Sequence, residues 1–313
     1  MRGTLLYIGQ RLILIAITTV LVSSIVFILL HQIPGNAFLN ETRQTQQSLA
    51  AALHHYGLDL PMQQQYANWV GSVLHGDLGE SLVNRGVKIT PLLLRETSVS
   101  ATVGFFALIV TIGLGLTLGV VAALRQNTWV DYVASSTAVV GYSIPNFVLA
   151  IFGLLVFGHY LYDWTGGAFF YSPGWGAPEQ VPVPALALGL PYASYVARLT
   201  RASMLETIRT DYVRTAWAKG LKSRVVVIRH ALRNALIPVV TILGPLITGI
   251  ITGSVVIENI FGIPGLGKEF VTSILARDYN IVIGVFTFYA ALVGLANLTV
   301  DVIYPALDPR IRY

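Results

Sequence analysis

Gly262, Gly267 and Lys268 stand at the spacing G-x-x-x-x-G-K, which in a nucleotide-binding loop cradles ATP phosphates between glycine backbone amides and a lysine ammonium. That chemistry also needs a Ser or Thr hydroxyl after the lysine to hold Mg²⁺, and a buried strand leading into a helix whose N-terminus meets the phosphates. Here the next residue is Glu269, whose carboxylate would face the phosphates, and Pro264 removes one backbone donor. The preceding run ITGIITGSVVI is too long and unbroken for a single strand. The spacing is therefore read as a glycine-rich turn without nucleotide chemistry. His31, His54, His55 and His75 raise the question of a metal site, but adjacent His54 and His55 would point about 100° apart on a helix and could not readily share one ion. The chain has no cysteine, which excludes thiolate ligands, disulfides and cysteine nucleophiles. It also has no H-E-x-x-H, no G-x-S-x-G and no paired carboxylates in one apolar segment, so neither a catalytic residue nor a metal site is assigned.

The elements that carry these residues are set by composition. Of 313 residues, 54 % are hydrophobic and only 11 % charged, with a mean hydropathy of +0.67. Soluble chains carry about a quarter charged residues. The expectation is an all-α integral membrane protein. Six segments have the roughly 20 mostly apolar residues needed to cross a bilayer: 9–31, 99–124, 133–160, 183–200, 236–258 and 280–304. The first follows Arg2 and Arg11 but is longer than the apolar core of a secretory signal and is read as a retained anchor. With both termini in the cytoplasm, only Arg43, Arg85, Lys88, Arg95, Lys268 and Arg277 fall outside, and the other 14 of 20 Lys and Arg residues fall inside. That asymmetry obeys the positive-inside rule. It also puts the loop 259–279 on the outer face, away from cytoplasmic ATP.

Three parts follow: an N-terminal segment with the first span, 1–31; an external cap, 32–98, with helix-like stretches QSLAAALHHYGL and PMQQQYANWVGSVL; and a five-span core, 99–313. Within the core lies the cytoplasmic segment 201–235, and the nine basic residues from Arg198 to Arg233 on charge alone suit an anionic lipid surface. Asp211 is placed to cap a two-turn helix starting at Tyr212, and Gly220 supplies the permissive backbone that ends it. Tyr212, Val213, Ala216 and Trp217 form an apolar stripe suited to a partner's groove or the lipid surface. Polar residues inside spans are costly and mark a possible translocation path: Asn146, Thr248, Thr252, Glu258 at the outer end of the fifth span, and Asn297. Gly115 with Gly119, and Gly249 with Gly253, are spaced for close helix packing, and Pro145, Pro238 and Pro245 for helix bends.

TAWAKGL, followed by RHALRNALIP, resembles the conserved cytoplasmic loop of ABC importer permeases in the form seen in the oligopeptide and dipeptide family. The general Glu-Ala-Ala…Gly pattern is here Arg214, Thr215, Ala216 and Gly220; arginine in place of glutamate points to the peptide branch. The resemblance extends to HGDLGES (75–81), GVVAALRQNTWVDY (119–132), SYVARLTRASMLE (194–206), ITGSVVIENIFGIPGLGKEF (251–270), ARDYNIV (276–282) and ALDPRIRY (306–313). It implies the type I ABC importer permease fold in a bacterial inner membrane. It further implies an ATPase-coupling helix whose contacts are Arg214, Thr215, Ala216, Lys219, Gly220 and Leu221. The outer loop, with Phe261, Gly262, Pro264, Gly265 and Gly267, would form a hydrophobic-tipped projection facing a substrate-binding protein.

The implied partners are a second, homologous permease in a heterodimer, two ATPase subunits that hold ATP and Mg²⁺, and that external receptor. No cofactor belongs to this chain and no nucleic acid is involved. The implied cargo is an oligopeptide, with dipeptides, glutathione-like peptides and nickel chelates as alternatives. A stand-alone secondary transporter would commonly show internal repeats and mid-membrane charge pairs, and neither is found. Lys268→Ala is expected to leave the ATP affinity of the assembled importer unchanged in a nucleotide-binding titration; loss of an ATP site would restore the phosphate-loop reading.

Overall fold

The computed structural model describes residues 2–33, 46–167 and 171–307. Arg43, Arg310, Arg312 and the end of the block 306–313 lie outside them. The described residues form helices α1 (Arg2–Gln32), α2 (Gln46–His55), α3 (Met62–Leu74), α4 (Ile89–Leu124), α5 (Trp129–Ser143) and α6 (Asn146–Leu155). A π-helical turn, Val156–Tyr160, joins α6 to α7 (Leu161–Trp164), and α8 (Pro182–Ile208) leads to α9 (Asp211–Ala218). Next come α10 (Ser223–Val225), a π-helical run Val226–Leu232, α11 (Arg233–Ala235) and α12 (Ile237–Thr241), then α13 (Leu243–Phe261), α14 (Leu266–Ala276) and α15 (Tyr279–Leu307). The only extended pairing among the described residues is an isolated antiparallel bridge between Glu80 and Lys88.

Among the described residues, five stretches are long and apolar enough to cross a membrane: Leu6–Gln32, Ile89–Leu124, Asn146–Trp164, Leu243–Phe261 and Tyr279–Val302. The predicted spans differ from them for physical reasons. The segment 133–160 is broken because the ring of Pro145 pushes Ile144 into extended backbone, φ −85° and ψ 123°. The segment 236–258 is split at Ile242, and Pro238 and Pro245 each fall in the first turn of a new helix, where a missing N–H costs least. The segment 183–200 lies within α8, whose 27 residues reach about 40 Å at 1.5 Å per residue. α8 is not among the five because Arg198, Arg201 and its hydroxyls dilute its apolar content.

The chain divides into two compact units, Met1–Val99 with Pro264–Leu295, and Ser100–Ile263 with Ala296–Tyr313. In the first unit, Val26, Phe27 and Leu30 of α1 pack with Val282 and Ile283 of α15, and Tyr66 and Trp69 of α3 lie against them. A second cluster joins Leu78, Ile89 and Leu93 to Leu266, Ile281 and Val285. The junction is polar and hangs on Asp278, which is 1 % exposed. Its carboxylate accepts from the Ser81 hydroxyl, from the backbone amides of Leu82 at 3.1 Å and Val83 at 3.2 Å, and from the Ile281 amide at 3.3 Å. Asn280 Nδ2 adds a bond to the Glu80 carbonyl at 2.9 Å. One buried carboxylate thus caps α15 and grips the loop of the HGDLGES block. Just before it, Arg277 closes α14 in left-handed backbone, φ 58°, a conformation that only a well-determined site maintains in a non-glycine residue.

In the second unit, α8 packs against α5, α6, α12 and α13. It also meets α4 at close range. A Cβ on Gly189 would lie 2.6 Å from the Ala107 carbonyl oxygen; one on Gly115, 2.9 Å from that of Ala193; one on Gly119, 2.6 Å from that of Ala197. The two backbones approach more closely than any side chain allows, as small residues permit in membrane helix pairs. Thr111 Oγ1 donates across the contact to the Gly189 carbonyl at 3.0 Å. Gly119→Val should therefore push α4 off α8 and cost about 1–3 kcal/mol, measured as a lower thermal midpoint in detergent; an unchanged midpoint would deny the close contact.

Candidate functional site

The first candidate is α9 and its seat. Thr210, in extended backbone (φ −71°, ψ 154°), stands at the N-cap, so Asp211 is not the cap but occupies the first turn. There its carboxylate adds favourable charge near the helix N-terminus. The Asp211–Arg214 pair, 3.6 Å apart with both side chains exposed, contributes little. The helix ends at Ala218, and Gly220 turns the chain at φ 75°, where an L side chain would be strained.

The apolar stripe does not act as one surface. Val213 and Ala216 are buried against Val226 of the same chain, whereas Tyr212 and Trp217 are more than 40 % exposed. Ala216 is thus corrected from a partner contact to part of the seat; the pattern of apolar residues gives a face but not what covers it. Arg214, Thr215, Lys219, Gly220 and Leu221 remain on the surface. Beneath the seat, Ala231 and Ala235 pack with Ala123 of α4 and Met204 of α8, and Asn234 Nδ2 donates to the Tyr212 hydroxyl at 2.7 Å.

α8 is tied down just before it reaches α9. Arg201 donates to both oxygens of Asp131, Nε to Oδ1 at 2.6 Å and Nη2 to Oδ2 at 2.7 Å. The carboxylate also accepts from the Asn127 amide at 3.0 Å and from Ser135 Oγ at 3.3 Å. The Arg201 hydrogen bonds hold the Asp131 carboxyl at about 2, well below its ordinary range. A depressed carboxylate stabilises the fold above its unfolded value and loses that contribution only as pH falls through the folded one. The pair is therefore fully formed throughout the neutral range.

The reading of the loop 259–279 is also corrected. Phe261 and Ile263 are fully buried, Gly265, Leu266 and Gly267 are buried, and only Gly262 and Pro264 of this stretch are exposed. The hydrophobic tip points inward. Phe261 meets Tyr171 edge-on at 5.8 Å, while Leu266 belongs to the cluster around Leu93. Gly262, at φ 70°, closes α13 with the Ile263 amide bonded back to the Glu258 carbonyl at 2.9 Å. The G-x-x-x-x-G-K spacing thus spans a helix–turn–helix, with no strand leading into it.

Among the expected path residues, Thr248 Oγ1 donates to Asn297 Oδ1 at 3.1 Å, and the exposed Thr252 returns its hydroxyl to the Thr248 carbonyl at 3.0 Å. Glu258 is wholly buried, so it faces protein and not an open path. Asn146 opens α6, near Gly253. Sequence reasoning passed over Asp131, Arg201 and Asp278. Their signals were present: an acidic residue in the first turn of α5, and an Asp just ahead of α15.

Residues 115–313 match the family described as the binding-protein-dependent transport system inner membrane component, and residues 4–87 match its N-terminal region. The chain belongs to this permease family. The permease is similar to the dipeptide transport system permease protein DppB of Bacillus subtilis, 41 % identical over 307 residues, covering 98 % of this chain and 97 % of that one. It is also similar to the oligopeptide transport system permease protein OppB of Escherichia coli K12, 38 % identical over 298 residues and 95 % of each chain. Its fold resembles that of an inward-facing MetNI methionine ABC transporter, with a TM-score of 0.54 and 20 % identity over 70 % of this chain and 97 % of that one. The permease is a multi-pass inner-membrane component of an ABC importer and not an enzyme; the ATPase is a separate subunit.

Asp131→Asn should destabilise the permease by about 1.5–3 kcal/mol, the scale for hydrogen bonds to a charged group. The measurement is denaturation of the purified protein at pH 7; a cost below about 0.5 kcal/mol, typical of an exposed pair, would remove the anchoring role.

Proposed function

We propose that this permease forms half of the translocation path of an ATP-driven oligopeptide importer and couples to a cytoplasmic ATPase through α9. The observation that carries the reading is the two-turn helix itself: seated on its own chain by Val213 and Ala216, stopped at Gly220, and exposing Tyr212, Arg214, Thr215, Trp217, Lys219 and Leu221. An apolar-aromatic ridge with basic rims suits insertion into a groove of a partner. A nucleotide-driven closure of that partner would then move α9, and with it the end of α8.

The rest of the assembly follows from family membership and charge. The permease has six crossings, α8 being the one of lower apolarity, with both termini and 201–235 in the cytoplasm, and the cap 32–98 and loop 259–279 outside. A second, different permease completes the path, and two ATPase subunits hold ATP and Mg²⁺. An external binding protein delivers cargo, and Gly262 and Pro264 are the part of the turn available to it. A dipeptide cargo is the second reading, favoured by the likeness to the Bacillus subtilis protein.

Gly220→Val places a β-branched side chain at φ 75° and should distort the turn that sets α9. In the purified complex with its partners, peptide uptake into vesicles is expected to fall more than about tenfold while the ATPase subunits still hydrolyse ATP. Wild-type uptake by this variant would remove α9 from the coupling role.

A further inference from the structure

Two polar side chains of the membrane-embedded region meet over a notch made by two glycines. A Cβ on Gly253 would lie 3.4 Å from Asn146 Nδ2 and 3.6 Å from the Tyr192 hydroxyl; one on Gly249 would lie 2.7 Å from that hydroxyl. The glycines, one turn apart on α13, leave the room that the phenol of α8 enters. Asn146 reaches the same place from α6, immediately after the helix break at Pro145. Pro191, inside α8 and next to Tyr192, cannot bond back to the Ala187 carbonyl, so the backbone is interrupted on this side too.

Both side chains are half-buried, and among the described residues neither makes a hydrogen bond to protein. That distinguishes them from Thr248 and Asn297, which satisfy each other. Polar groups at membrane depth are costly, and unsatisfied ones mark a place where something else supplies the partner. The Asn amide offers two donors and one acceptor, and the phenol one of each role. A peptide unit offers one N–H donor and one C=O acceptor. Apart from its two charged termini, that unit is what peptides with varied side chains have in common.

We propose that Asn146 and Tyr192 form a polar contact point of the translocation path that hydrogen-bonds the backbone amides of passing peptide. The assignment rests on the peptide-importer reading above. It makes Tyr192 a substrate-contacting residue that the sequence did not single out, and Gly249 and Gly253 the residues that keep its place open.

The test uses the complete importer with its binding protein in proteoliposomes. Substrates are one transported peptide and its depsipeptide analogue, in which an ester replaces an internal amide and removes the N–H donor. Tyr192→Phe and Asn146→Leu keep the bulk of each side chain, and Gly249→Ala displaces the phenol. Each variant is expected to lower the maximal uptake rate about three- to tenfold, the scale of one neutral hydrogen bond. The half-saturating concentration of loaded binding protein and its stimulation of ATP hydrolysis should stay unchanged. Wild type should carry the ester more slowly than the amide, and Tyr192→Phe should carry both at one rate. Variants that import at the wild-type rate would overturn the contact point while leaving the importer reading intact. Equal slowing of ester and amide, with the wild-type preference preserved, would also overturn it, since it would mark a purely structural role. A wild-type complex that hydrolyses ATP but imports no peptide would instead sink the importer reading and the contact point with it.

Discussion

Two hydrogen bonds between Arg201 and Asp131, at 2.6 and 2.7 Å, fix the end of the helix on which the second unit is built. α8 contacts α5, α6, α12 and α13, lies backbone to backbone against α4, carries Tyr192, and runs on within a few residues to α9. Were the guanidinium unpaired, a charge beside the membrane would draw that end toward water. The pairing keeps the cation on the carboxylate, and the Asn127 amide and Ser135 hydroxyl complete its shell. Proton concentration near neutrality leaves the arrangement untouched because the carboxyl titrates far below.

Much of this was legible in the sequence, and what was hidden has a common cause. The short helix α9, its stop at Gly220, and the close packing of Gly115 and Gly119 follow from local signals: a turn-permissive glycine, a two-turn apolar stripe, small residues four apart. Local signals give the face of a helix but not its neighbour. Ala216 therefore read as a partner contact although it packs on Val226, and the loop at 261–267 read as a projecting tip although Phe261 and Ile263 are fully buried. The span 183–200 was legible, but not that it lies within a 27-residue helix many of whose residues are buried by protein. Tyr192 was invisible for a similar reason, since a tyrosine in an apolar run becomes noteworthy only when two glycines of another helix are found beneath it.

Asp278 joins two blocks that lie far apart along the chain. HGDLGES and ARDYNIV have no evident relation along the chain, yet the carboxylate from one takes the hydroxyl and amides of the loop that the other begins. Such a buried acceptor tolerates little change: an amide in its place would set a donor against donors. The left-handed Arg277 beside it shows how strongly this corner is determined.

The seat of α9 is small. Eight residues are too few for a helix to persist by itself in water, where about 12–15 are needed, and what holds this one is two side chains against Val226 plus a bond from Asn234 to Tyr212. Its opening free energy must then lie far below that of the helices around it, and its amides would exchange with solvent through local unfolding while the rest of the permease stays closed. A partner that covers Tyr212, Trp217 and Leu221 would narrow this ensemble as well as grip it. Under the proposed coupling role, α9 would act by a shift in population, from a loosely docked joint to a stiff one, more than by the push of a rigid lever.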